Sequence, residues 1–219
     1  NPNLYIDADG RYRGMDMQIH QDSTDNHYTI FSLWDTFRAT HPLFTLIEQE
    51  KTNEFIRTFL RQYRQGGKLP IWELAANYTN CMIGYHAIPV IADAYVKGIR
   101  DYNIEEAMDA MIYSANLDSE GLEYYKAKGF IAASDEPESV SKTLEYAYDD
   151  WCIAMMADSL GRDDVANYFY QRGQYYKNVY DPSTKFFRAK VNNNWFGPFV
   201  PDEVNFNYTE ANAWQYSTF

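Results

Sequence analysis

Apolar residues recur at spacings of three and four along most of this chain, the period of a helix with one buried face. The longest such run is Ser139–Arg162, where Val140, Leu144, Ala147, Trp151, Ala154 and Met155 share one stripe. A hydroxyl of Ser139 or Ser141 suits its start, and Gly161 suits a left-handed stop. Upstream, 31–40 reads as helical up to His41-Pro42. Residues 48–64 place Phe55, Phe59, Leu60 and Tyr63 on one face, and Gly66-Gly67 ends that run. Residues 80–98 form an apolar helical stretch that Pro89 should kink or split. Shorter helices are predicted at 104–115 and 122–128, and a longer one at 163–179. Residues 185–191 suit a short strand, and 207–219 begin one more helix.

The helices are of two kinds. Those at 80–98 and 139–160 are apolar nearly all round, whereas 48–64 and 163–179 carry one charged face. Alternation of doubly buried and singly wetted helices predicts two layers, an all-α arc of an α/α toroid with minor short strands. In such a ring the functional loops collect at the ends of the inner helices.

Composition narrows the chemistry. The 219 residues are 17% aromatic and carry a net charge of −12, a poor match to nucleic acid or an anionic membrane surface. No stretch approaches 18 consecutive apolar residues, so no transmembrane helix is expected. The first residues show no signal-peptide pattern, and the chain reads as an excerpt of a longer protein. The two cysteines, Cys81 and Cys152, sit in apolar helical patterns and are expected to be buried, unpaired thiols. His86, on an apolar face, reads as a hydrogen-bonded core residue.

Aromatic rings beside carboxylates suit a sugar site, where rings cover apolar faces and carboxylates bind hydroxyls. Glu145, Asp149 and Asp150 lie among Tyr146, Tyr148 and Trp151. A solvated acidic face with a few aromatics at its rim is the alternative. Trp34, Asp35 and Arg38 form a second group, with Asp35 and Arg38 spaced to pair on a helix. Trp72 and Glu73 form a third, in a predicted loop.

Several ordered motifs then carry a resemblance. They are Arg13-Gly14-Met15-Asp16, the run Phe31–Arg38 (FSLWDTFR) with His41-Pro42-Leu43, Cys81–His86 (CMIGYH), Ser139–Trp151 (SVSKTLEYAYDDW) and Asn207–Tyr216 (NYTEANAWQY). Together they closely resemble glycoside hydrolase family 92, the calcium-dependent, exo-acting, inverting α-mannosidases. The resemblance implies that residues 1–219 are part of a single (α/α)6 catalytic barrel, that the substrates are mannose-containing glycans, and that the protein is secreted, periplasmic or at the cell surface. It maps the family's general acid onto Glu145. The general base belongs to a Gly-Asn-Asp-Asp-type motif that residues 1–219 do not contain. Inverting hydrolysis needs both carboxyls. Asp149, Asp150 and the neighbouring rings are expected to raise the pKa of Glu145.

The resemblance also implies Ca2+, a hard cation suited to oxygen ligands. Glu210 and Asn212 are the oxygen donors its late motif points to. Trp34, Asp35, Arg38, Trp72, Glu73, Thr209 and Glu210 are the implied sugar-binding residues. The family's α-1,2-selective members carry a His-Glu pair where this chain has Thr209-Glu210, so another linkage is expected. The competing readings are a carbohydrate-binding toroid without catalysis and a toroidal lyase. The acidic charge disfavours the lyase, whose uronate substrates call for basic residues.

Overall fold

A computed structural model describes residues 2–218. Its eight α-helices are α1 (Leu33–Thr36), α2 (Thr40–Ile47), α3 (Gln49–Gly66), α4 (Ala87–Val96), α5 (Ile104–Ala115), α6 (Leu122–Lys128), α7 (Ser139–Ser159) and α8 (Asp163–Arg172). The strands are two or three residues long. Asn3–Leu4 pairs with Tyr28–Thr29, and Arg11–Arg13 with Ile19–Gln21. Phe31–Ser32, Trp72–Leu74 and Asn77–Tyr78 make a three-stranded antiparallel sheet, with Ser32 opposite Trp72 and Glu73 opposite Tyr78. Two more hairpins follow α8.

The inner helix is α7. Sixteen of its 21 residues are buried, against three of ten in α8, which confirms the predicted order of burial. It packs chiefly on α8, then on α4 and α5. Gly161 ends it with φ +70°, in the left-handed conformation its position predicted, and the Arg162 N–H reaches back to the Ala157 carbonyl. Its start differs from expectation. Neither serine caps it. The Asn207 carbonyl accepts from the Val140 and Ser141 N–H groups, at 3.1 and 3.4 Å. Ser141 Oγ instead accepts from the Thr209 N–H at 2.9 Å. A distant segment thus satisfies the free donors of the first turn, and that segment is fixed against the inner helix.

Four predicted helices are shorter than their patterns. Of residues 31–40 only Leu33–Thr36 forms the first helix, and Phe31–Ser32 is a strand. Residues 80–86 are irregular, because Asn80, Met82 and Gly84 all have positive φ. With α4 starting at Ala87, Pro89 falls in the first turn, where its missing N–H is not needed. Cys81 lies on this irregular loop and is exposed, contrary to prediction, whereas Cys152 is buried and both thiols are free. Residues 163–179 divide into α8 and a 3-10 turn at Tyr175–Val179. Of the predicted 207–219 helix, only a 3-10 turn at Gln215–Thr218 forms, and Phe219 lies outside the described residues. Asn212 and Gln215 exchange side-chain and backbone hydrogen bonds of 3.0 and 3.1 Å, and this local pairing competes with a continuous helix.

Two apolar clusters meet on α7. The larger one joins α3, α4, α5 and the lower half of α7 through Phe55, Phe59, Ile88, Met111 and Ile153. The smaller one joins Val140 and Leu144 to Val179, Phe187, Tyr208 and Tyr216. Burying a side chain such as Leu144 is worth about 1.5–3 kcal/mol. The predicted stripe of α7 is not wholly internal, since Trp151 is 42% exposed and Tyr148 is 38% exposed. With Met155 they line one side of a groove of about 690 Å³ whose opposite wall includes Pro89, Val90 and Val96 of α4.

Candidate active site

Glu145 lies 1.5 to 2 turns into α7, and its side chain is fully buried. Two elements bring partners to one of its oxygens. The Phe31–Ser32 strand runs into α1, so Trp34 and Arg38 project onto α7. Trp34 Nε1 donates to Glu145 Oε1 at 3.2 Å, and Arg38 Nη2 donates to the same oxygen at 2.9 Å. The Tyr216 hydroxyl lies 3.5 Å away, at the limit of a hydrogen bond. The Arg38 guanidinium is held in turn by the Trp34 carbonyl at 3.1 Å and lies over the Phe37 ring. The Arg38 side chain is 41% exposed, so this corner of the site reaches solvent.

The other oxygen faces inward. Oε2 lies 3.1 Å from His86 Nε2, in a contact without hydrogen-bond alignment. His86 Nδ1 pairs with Asp149 Oδ1 at 2.8 Å, and Asp149 Oδ2 accepts from the Tyr85 N–H at 2.9 Å. Glu145 and Asp149 are one helical turn apart on α7, so both carboxylates face the same imidazole. His86 also stacks on Phe37, with ring centroids 4.1 Å apart. Gly84 makes room for it. A Cβ at Gly84 would lie 2.2 Å from His86 Nε2, and its φ of +79° is itself a glycine conformation.

These contacts correct the expected electrostatics. Burial alone would raise the Glu145 pKa, but His86 and Arg38 outweigh it and hold the carboxyl below its ordinary value. Asp149 is turned to His86, and Asp150, about 100° further round α7, is turned to Arg172. Burial pushes Asp149 up against the pull of His86. His86 is raised to about 9, because burial, which disfavours the imidazolium, is outweighed by Asp149 and Glu145. His86 is therefore a core histidine, as its apolar face suggested, but one clamped between two carboxylates. A lone histidine in an apolar pattern does not disclose that. The signal available was the pair of acidic residues spaced by four in an otherwise buried helix.

The remaining predicted residues divide. Asp35 is exposed on α1, and among the described residues it forms no ion pair with Arg38, whose carboxylate partner is Glu145. Trp72 and Glu73 point to opposite faces of their strand, as consecutive strand residues must. Trp72 lines a pocket of about 240 Å³ with Asn80, Cys81, Glu138 and Lys142. Glu73 is fully buried. It accepts from Thr29 Oγ1 at 2.8 Å, Ala76 N at 2.6 Å and Ile30 N at 3.1 Å, which makes it the anchor of the sheet and its turn, not a sugar contact. Thr209 is 3% exposed and packed beneath the start of α7.

Glu210 is exposed with φ +49°. Asn212 Oδ1 is engaged by the Gln215 N–H, and its Nδ2 by the Asp202 carbonyl. Among the described residues, no three His, Cys, Asp or Glu side chains converge as a metal site. Six to eight oxygens are usual for Ca2+. Glu210 and Asn212 alone do not fit that requirement.

Residues 1–219 match the catalytic-domain model of glycosyl hydrolase family 92 over their whole length. The chain belongs to this family. Its fold is similar to that of a family 92 α-mannosidase from Bacteroides thetaiotaomicron, with 40% identity and a TM-score of 0.95 over 99% of this chain and 30% of that one. The same enzyme in complex with mannoimidazole gives 39% identity and the same score and coverage. A family 92 inverting mannosidase of that organism is 35% identical, with a TM-score of 0.88 over 97% of this chain and 30% of that one. A protein of Arthroderma benhamiae described as an uncharacterized secreted glycosidase is 29% identical over 164 residues, 67% of this chain and 21% of that protein. The family 92 chain described here thus spans less than a third of the length of these relatives. The family assignment agrees with the motifs and with the helical arc predicted from the sequence.

Proposed function

We propose that this chain is the acid-bearing part of the catalytic barrel of an exo-acting, inverting α-mannosidase, which removes terminal mannose from glycans. Glu145 is the general acid. The observation that carries this reading is the placement of the Glu145 carboxyl. It is wholly buried on the inner helix, yet Trp34 and the half-exposed Arg38 bind one of its oxygens from the open side. A proton donor to a leaving sugar needs that combination of desolvation and access. Trp34 and Arg38 bind the sugar beside it. No other buried carboxylate on α7 is free to serve as the second group, because Asp149 is tied to His86 and Asp150 to Arg172. The family resemblance places the general base in a Gly-Asn-Asp-Asp-type motif that residues 1–219 do not contain. Mannose as the sugar is supported by the relatives named above, and secretion by the fungal one. Among the described residues, no helix is long and apolar enough to cross a membrane.

The test is Glu145→Gln in the full-length protein. Turnover of a mannobiose should fall by about 10²–10⁴ or more, while an aryl mannoside with an activated leaving group loses far less, because its departure needs no proton. Equal losses on both substrates would refute the assignment.

The linkage hydrolysed is other than α-1,2, because Thr209 is buried under α7 and offers no long side chain to a leaving sugar. Among mannobioses, the highest kcat/KM on the α-1,2 isomer would overturn this. The requirement for Ca2+ rests on the family resemblance alone. Chelation should abolish activity of the full-length protein, and Ca2+ should restore it better than Mg2+; full activity after exhaustive chelation would end that part of the reading.

A further inference from the structure

The inward side of Glu145 has a chemistry the acid role alone does not explain. A general acid must start each turnover protonated. Here the carboxyl is surrounded by groups that favour its anion: Arg38 and Trp34 on Oε1, His86 on Oε2, and the Tyr216 hydroxyl at the edge. At the same time, His86 Nε2 and Glu145 Oε2 lie 3.1 Å apart, both sealed from solvent and neither in an aligned hydrogen bond among the described residues. Asp149 binds the far nitrogen of the same ring at 2.8 Å and is itself fixed by the Tyr85 N–H. Three titratable groups therefore stand in line, in the order carboxyl, imidazole, carboxylate, inside the protein.

We propose that Glu145, His86 and Asp149 hold the catalytic proton jointly, with His86 storing the proton that Glu145 delivers. This rests on Glu145 being the general acid. In the resting site Glu145 is a carboxylate and His86 an imidazolium, its Nδ1–H donated to Asp149. To arm the acid, the His86 Nε2–H bond breaks and a Glu145 Oε2–H bond forms. His86 becomes neutral and keeps its Nδ1–H on Asp149, so the number of protons in the unit is unchanged. A half-turn of the carboxyl about its soft terminal torsion exchanges its two oxygens and brings the acidic proton to the side of Trp34 and Arg38. There the O–H bond breaks as the leaving oxygen takes the proton. The glycosidic bond breaks with its electron pair going to that same oxygen. Solvent protonates the unit again after the product leaves.

The surroundings favour this unit. With imidazolium, Arg38 and two carboxylates, the resting charge sums to zero in a buried site, whereas a neutral imidazole beside both carboxylates would leave one negative charge uncompensated. Asp150 adds little to the balance, because further round α7 it is neutralised by Arg172 and bonded by the Tyr85 and Tyr125 hydroxyls. The stacked Phe37 ring and the space left by Gly84 hold the imidazole in the plane that serves both carboxylates. His86 touches no substrate in this scheme. It is a positioning residue acting through Glu145.

The reading distinguishes itself by pH. A lone carboxylic acid loses its proton in the range of about 4–6. A unit that includes His86 keeps one mobile proton until His86 titrates, at about 9. In the full-length protein, the basic limb of kcat/KM on an α-linked mannobiose should lie well above the carboxyl range. His86→Gln should lower that limb by about two units or more. Asp149→Asn should move it in the same direction by less, since it removes the charge that favours imidazolium but leaves the ring. The activated aryl mannoside reports whether each variant is folded. A wild-type basic limb already at carboxyl pH overturns the proposal without any variant, and so does a folded His86→Gln protein with an unmoved limb. If Glu145→Gln spares only the aryl substrate while His86→Gln leaves the profile unchanged, the shared proton falls and the acid assignment stands. Equal losses in Glu145→Gln on both substrates remove the acid assignment itself.

Discussion

Two charged centres flank the same helix, and they are built to opposite specifications. On one side of α7, Asp150 meets Arg172 in a bidentate pair, with Nε to Oδ2 at 2.7 Å and Nη2 to Oδ1 at 3.1 Å. The Tyr85 and Tyr125 hydroxyls bind the same carboxylate at 2.7 and 3.0 Å, and the Ala115 carbonyl accepts from Arg172 at 2.9 Å. Both charged side chains are almost completely buried and every oxygen is bonded. On the other side, Glu145 has a half-exposed arginine on one oxygen and an unaligned imidazole on the other. The closed centre joins α7 to α8, to the end of α5 and to the loop before α4. The open one joins α7 to α1 and leaves polar capacity unused. A fully bonded buried pair is structural, because nothing further can bind to it. An incompletely bonded one keeps room for a substrate or a moving proton.

The sharpest break between the two centres is kinetic. Glu145→Gln should cost a factor of about 10²–10⁴ or more on natural linkages. It should change the stability of the full-length protein by less than about 2 kcal/mol, since the amide keeps an acceptor for Trp34 and Arg38. Arg172→Met should do the reverse. It leaves a buried carboxylate alone and should cost about 3–5 kcal/mol in denaturant unfolding at pH 7. The double variant Asp150→Asn with Arg172→Met should be less costly than the sum of the two single changes, because it removes both charges together. Burial pushes Asp150 up to about 6 against the pull of Arg172; without that pull the carboxyl titrates higher still, so the Arg172→Met penalty should shrink as the pH falls towards 6 and level off below it. If Arg172→Met proved as stable as wild type, the structural reading of the closed centre would fail.

The smallest effect compares histidines. His41 is buried against Phe44, Phe55 and Phe59, with no bonded partner for either nitrogen among the described residues, and burial lowers its pKa to about 4. Its folded value is below the unfolded value of about 6.5, so its contribution to stability is present above pH 6.5 and is lost as the pH falls to 4. His86, raised to about 9 by its carboxylates, has the opposite sign: its contribution is full below 6.5 and is lost as the pH rises through 9. His41→Phe should therefore flatten the decline of Tm between pH 6.5 and 4 and leave the alkaline side unchanged. His27, lowered to about 3 chiefly by burial, keeps part of the acid slope. An unchanged acid slope in His41→Phe would show that His41 is not neutral in the folded protein.

The sequence by itself determined the helical arc, the ends of α5, the glycine stop of α7, the burial order of α7 and α8, and the family. Those features depend on local period, local backbone freedom and contiguous motifs, all of which are present in the order of residues. It also marked Glu145, Trp34 and Arg38, and the structure brings these three together. Only the tertiary structure decided what their charges do. Asp149 and Asp150 are adjacent in sequence, but on a helix they point about 100° apart, and each takes a different cationic partner from a different element. Glu145 therefore has a lowered pKa, not the raised one that its two acidic neighbours and the nearby rings suggested. The same holds for Glu73, whose side of the strand faces inward, and for the Asn207–Tyr216 segment, whose backbone caps α7 where a new helix was expected. A chain order specifies which groups are available. Long-range packing selects which of them meet, and at buried sites that choice sets the electrostatics.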